Sequence, residues 1–216
     1  MADDLNTQNN ENIEISSDDF TVGNIINNSF SIGLANIGPI VLVLLVYYLT
    51  IWIPYINLGT SIATIAMAIS IARNESFTIE ALFSHKYRKL IGPMFLLWGI
   101  SLVAILLGFL FLIIPGLILA MAWSLAPYLI IDKNLDVMDA LKVSYKITYG
   151  KKGILFLSAI LLSLIQNIGN VIVSTIVWAP QIMVIGVIGE ALFLIVFTAI
   201  WVGFMGYVYN QLSRDI

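Results

Sequence analysis

Six long apolar runs, parted by short polar stretches, set the pattern of this chain. They cover residues 37–56, 58–72, 90–114, 117–131, 154–178 and 182–209. A helix rises about 1.5 Å per residue, so about 20 apolar residues cross a hydrocarbon core of about 30 Å. The pattern predicts an all-α integral membrane protein with six transmembrane helices. The run over 58–72 is short, and its open alternative is a re-entrant segment. Pro54 with Asn57-Leu58-Gly59, Ile114-Pro115-Gly116, and Ala179-Pro180-Gln181 are the expected turns between paired spans. Pro127 falls inside the fourth run, where its missing N–H should bend or end the helix.

The polar stretches have a pattern of their own. Residues 1–16 are acidic and poor in large apolar side chains, which predicts a disordered tail ahead of a single membrane domain over 17–216. Ser17 and Asp18 are the expected cap of a helix beginning near Asp19. Phe20, Ile26, Phe30 and Leu34 recur at helical spacing between Asn24, Asn27 and Asn28, as in a helix lying at the membrane surface. Thr78 heads a second amphipathic stretch through Lys89. Asp136 heads a third, whose expected apolar face is Val137, Leu141, Ser144, Tyr145 and Thr148.

These three stretches recur about every 57–59 residues, a period at which repeats define architecture. Glu80-Ala81-Leu82 matches Asp139-Ala140-Leu141, and Ile37-Gly38-Pro39 matches Ile91-Gly92-Pro93. The expected architecture is three repeats of a surface helix plus a helical hairpin.

Composition narrows the chemistry. Charged residues make up 11% of the chain, against about 25% in a soluble domain. Cys is absent and His85 is the single histidine, which leaves no disulfide, no thiolate nucleophile and no multi-histidine metal site. No nucleophile elbow, phosphate-binding loop or zinc-protease signature occurs. The reading is therefore a non-enzyme with no catalytic residue and no cofactor. Nothing in the sequence supports nucleic-acid binding.

Charge decides the threading. Of the ten basic residues, all but Arg214 lie in two loops: Arg73, Lys86, Arg88, Lys89, Lys133, Lys142, Lys146, Lys151 and Lys152. Six spans put both loops and both termini on one side, which the positive-inside rule makes cytoplasmic. Lys86, Arg88, Lys89, Lys142, Lys146, Lys151 and Lys152 are the candidate contacts for anionic lipid head groups.

Glu190 is the one ionisable residue inside a predicted span, about 12 Å from the outer turn at 1.5 Å per residue. Gln166, Asn167 and Asn170 share one face of the preceding span, and Asn170 is expected at the depth of Glu190. Two readings stand for this intramembrane polar set: a proton- or cation-binding site, or a hydrogen-bond lock between helices.

Ile114-Pro115-Gly116, Ser124-Leu125-Ala126-Pro127-Tyr128, Asp132, Asp139-Ala140-Leu141, Ser144 and Gly150 resemble a family of bacterial multi-span membrane proteins. That family includes the membrane domain fused to some glycerophosphoryl diester phosphodiesterases and many stand-alone proteins of unassigned function. The resemblance covers about 37 residues. It implies a multi-pass protein of the bacterial inner membrane and carries over no catalytic residue. The expected function is lipid binding or a scaffold or accessory role. The alternatives are a small transporter or channel using Glu190, for which a pore would need a homo-oligomeric ring, and an intramembrane enzyme.

Overall fold

The computed structural model describes residues 20–214 and 216 apart from 178–182, with backbone alone at 176–177 and 183–186. The expected tail over 1–16, the caps Ser17 and Asp18, and the turn near Pro180 lie outside the described residues. Those described form helices and no strand. Five stretches are long and apolar enough to cross a membrane, and a sixth follows if one bent pair counts as a single span.

The first pair is that bent one. α1 (Val22–Ala35) and α2 (Ile37–Leu49) meet at Asn36 with a bend of 74°. Thr21 caps α1, its side chain accepting from the Asn24 N–H at 3.3 Å. The expected surface helix is α1, and Phe20, Ile26 and Phe30 of its expected face pack on the core. α1 runs antiparallel to α11 (Met183–Leu212), with a Cβ at Gly33 falling 2.6 Å from the Ala199 carbonyl and one at Gly203 falling 2.5 Å from the Ser29 carbonyl. The buried face is Ile25, Ser29 and Gly33, while Leu34 of the expected face is 47% exposed. Small side chains let two helix backbones approach closely, and that contact outweighs the larger but shallower apolar stripe.

α3 (Pro54–Ala72) begins earlier than expected. Pro54 opens it, where a missing N–H costs no hydrogen bond, so the turn is Thr50 to Ile53 and Asn57-Leu58-Gly59 lies within the helix. Asn57 ties the hairpin by donating to the Tyr47 carbonyl at 3.1 Å. The charged loop after α3 forms two short helices, α4 (Ile79–Leu82) and α5 (His85–Lys89), in place of one continuous helix.

α6 (Ile91–Phe111) and α7 (Ile113–Trp123) turn at Leu112, which is extended. Pro115 and Gly116 therefore sit in the first turn of α7 and not in the turn itself. Gly116 packs against Phe109, and Gly108 packs on the Gly116 backbone. α7 breaks at Ser124-Leu125 before α8 (Ala126–Lys133), where Pro127 lies near the start. This is the expected interruption of the fourth run.

α9 (Val137–Ile147) folds back along α8 and reaches α7. The Ser144 hydroxyl donates to the Ala122 carbonyl at 2.6 Å, and Thr148 Oγ1 lies 3.4 Å from the same oxygen. The Ser144 hydroxyl thus satisfies a buried carbonyl at the helix break, while Thr148 makes its shorter bond, 2.8 Å, to the Ser144 carbonyl. The buried face is Val137, Ala140, Leu141, Ser144 and Thr148; Tyr145 of the expected face is 46% exposed. α10 (Lys152–Val177) then pairs with α11.

Both described chain ends gather with the charged loops at one end of the bundle. Lys133 Nζ donates to the Ile216 carbonyl at 2.8 Å, and Lys151 lies 5.2 Å from the Phe20 ring centroid.

Candidate functional site

Three helix ends meet at that charged end. Arg73 follows α3, Asp132 closes α8, and Tyr209 lies in the last turn of α11. Arg73 Nη1 and Nη2 each donate to one Asp132 oxygen at 2.8 Å, a bidentate pair. The Tyr209 hydroxyl donates to Asp132 Oδ2 at 2.7 Å and its ring stacks on Tyr128 with centroids 5.4 Å apart. Asn210 adds a bond from Nδ2 to the Ala72 carbonyl at 3.2 Å. The side chains of Arg73 and Asp132 are 29% and 14% exposed, so water screens the pair only in part. Its hydrogen bonds to Asp132 hold the Arg73 guanidinium above its ordinary range. Among the described residues the arrangement is a clasp, with each polar group partnered inside it. Sequence reasoning treated Arg73 and Asp132 separately, as a loop cation and a span end. The available signal was their separation of 59 residues, equal to the spacing expected between the three amphipathic stretches, with opposite charges at its two ends.

The two loops expose their cations unequally. Lys86, Lys89, Lys142 and Lys146 are exposed. Lys142 reaches Asp139 at 3.1 Å in a surface pair whose side chains are 72% and 62% exposed. Lys152 sits 3.8 Å from the Tyr145 ring centroid and 5.6 Å from that of Tyr149. Arg88 differs from the others: Nη2 donates to the Phe83 carbonyl at 2.7 Å, and its stem lies 3.1 Å from a Cβ at Gly59. Its Nε is buried without a partner among the described residues. Gly59 leaves the room for that stem, so Arg88 packs back along α3 while Lys86 and Lys89 are exposed.

The polar set of the last two spans divides. Gln166 Oε1 accepts from Trp201 Nε1 at 2.9 Å, which joins α10 to α11. Asn167 is exposed and donates to the Ser163 carbonyl of its own helix at 2.7 Å. Gly169 admits the Phe193 ring, whose nearest atom would be 2.6 Å from an added Cβ. That contact puts Asn170 within about one turn of the level of Glu190. Asn170 is exposed, Glu190 is half-buried, and no hydrogen bond joins them. The helix-to-helix polar contact therefore runs through Gln166 and Trp201.

Apolar grooves flank the bundle. One of about 450 Å³ lies between α6, α7 and α9, with Lys142 and Tyr145 at its rim. Another of about 660 Å³ lies between α2 and α11, from Ile37 to Leu42 on one side and Leu192 to Val196 on the other. Among the described residues, no group of three His, Cys, Asp or Glu side chains comes close enough to hold a metal ion.

No protein-family model, curated protein or solved structure matches this chain.

Proposed function

We propose that the chain is a non-enzymatic, multi-pass membrane protein that engages anionic lipid head groups with its charged end and serves as a scaffold or accessory subunit. The observation that carries this is the surface around α9. Lys142 and Lys146 stand beside Met138, Tyr145 and Tyr149, which are 52%, 46% and 72% exposed. Apolar and aromatic side chains beside lysines suit the boundary between acyl chains and phosphates. The clasp of Arg73, Asp132 and Tyr209 leaves these lysines outside its own bonding.

The same reading places six spans in the inner membrane of a bacterium, with both termini cytoplasmic, in accord with the family likeness of Ile114 to Gly150. Three copies of one unit are part of it, and three features support them. Arg73 and Asp132 end α3 and α8 at a separation of 59 residues. Left-handed asparagines follow, Asn74 at φ 57° and Asn134 at φ 52°. Each helix that opens a unit, its turn helix, folds back on the second helix of a hairpin, the inner helix of that unit: α5 on α3 through Arg88, α9 on α7 through Ser144, and α1 on α11 through Ser29. The third pairing closes a ring, because the turn helix of the first unit rests on the inner helix of the last.

Two measurements test the proposal. Native mass spectrometry from mixed nanodiscs should show phosphatidylglycerol retained over phosphatidylcholine; equal retention would remove the lipid reading. The chain has no cysteine. Single cysteines at Ser84 and Asn134 should react with an impermeant maleimide only in inside-out vesicles, and one at Leu112 only in right-side-out vesicles. The reverse pattern would invert the orientation.

A further inference from the structure

The groove between α6, α7 and α9 has a composition that changes along its wall. Ile100, Trp123, Met138 and Leu141 give it apolar sides, and Lys142 and Tyr145 stand at its rim. Its volume is about 450 Å³. Leu96 and Val103, about one turn to either side of Ile100, are 54% and 57% exposed. The groove is thus continuous with the apolar wall that α6 turns outward.

Lys142 gives the rim its cation, and Lys152 lies over the Tyr145 ring at 3.8 Å. Lys142 is paired to Asp139 through side chains 72% and 62% exposed. An exposed pair of this kind is worth little and yields to a stronger anion. A phosphate there would meet Lys142 and could accept from the Tyr145 hydroxyl.

We propose that this groove binds one membrane phospholipid with an anionic head group, an acyl chain lying along Ile100, Trp123 and Leu141 and the phosphate held by Lys142 and the Tyr145 hydroxyl. The inference deepens the lipid-binding reading and rests on it. It assigns that binding to one site, where the reading alone calls only for diffuse attraction to a charged surface. The other groove, between α2 and α11, is lined by apolar residues alone and has no cation to select a head group.

The test is native mass spectrometry of the full chain released from nanodiscs holding equal phosphatidylglycerol and phosphatidylcholine. The wild type should retain one phosphatidylglycerol preferentially. Lys142→Gln, at a side chain 72% exposed, should fold normally and lower that retention about fivefold, the worth of one lysine at a membrane surface. Ile100→Phe, which fills the groove, should lower it about tenfold with the melting temperature checked alongside. Leu42→Phe, in the groove between α2 and α11, should leave it unchanged. If anionic preference persists in both Lys142→Gln and Ile100→Phe, this site is wrong while the broader lipid reading stands. If the wild type shows no preference, both fall.

Discussion

Arg73 and Asp132 face each other across 59 residues and join through two bonds of 2.8 Å. Each lies at the charged-side end of an inner helix, and Tyr209 brings in the end of a third. A half-buried bidentate pair resists removal of one partner more than removal of both, because the survivor keeps its charge without its bonds. Asp132→Asn should cost about 1–3 kcal/mol, below the roughly 3–5 kcal/mol of a fully buried pair because these side chains are partly exposed. Arg73→Met with Asp132→Leu should cost less than the sum of the single changes, as thermal unfolding in detergent would show. An additive result would mean the two residues act independently.

Gly33 and Gly203 let α1 and α11 touch backbone to backbone. Gly203→Val should destabilise by about 1–3 kcal/mol through overpacking and free α1 to proteolysis. Gly23 has open space around its Cα. Gly23→Ala should therefore be neutral or stabilising by up to about 1 kcal/mol. Limited proteolysis followed by mass mapping distinguishes the two variants, and equal protection of α1 in both would refute the close contact.

Ser144 holds α9 to the break in α7 by its 2.6 Å bond to the Ala122 carbonyl. Ser144→Ala should cost about 1 kcal/mol while Thr148 stays near the same oxygen, and adding Thr148→Val should bring the total to about 2–3 kcal/mol. Hydrogen exchange over residues 137–148 should rise in step. Unchanged exchange in the double variant would show that apolar packing alone holds α9.

Glu190 has no hydrogen bond with a described residue, and Gln166 bonds Trp201 instead. Glu190→Gln should shift stability by no more than about 0.5 kcal/mol, the usual range for a residue outside such networks. Gln166→Leu should cost about 1–2 kcal/mol by unpairing the indole N–H. A large loss of stability in Glu190→Gln would restore the lock between α10 and α11. Loss of ion flux in proteoliposomes from a normally folded Glu190→Gln variant would favour transport over lipid binding.

Hydropathy alone made the helices legible, because lipid demands long apolar runs whose backbone bonds are all internal. The break at Pro127 was equally local, since its cause is the chemistry of one residue. Segregation of lysine and arginine in two loops foretold which ends of the helices lie together, and Lys133 with Ile216 and Lys151 with Phe20 meet there. Depth and partner were not local. The apolar spacing of Phe20, Ile26 and Phe30 marked a packing face, but nothing local showed that Ser29 and Gly33 also turn inward, because Gly203 leaves room on a helix about 170 residues later. Arg88 looked like its neighbouring lysines until Gly59 gave its stem a place to lie. Asp132 looked like the polar end of a span, and only the assembled bundle brought Arg73 and Tyr209 to it. By itself the sequence determined what each segment is, since solvation and backbone bonding act over a few residues. The tertiary structure decided what each segment touches, since helices settle by the shape of surfaces brought from distant parts of the chain.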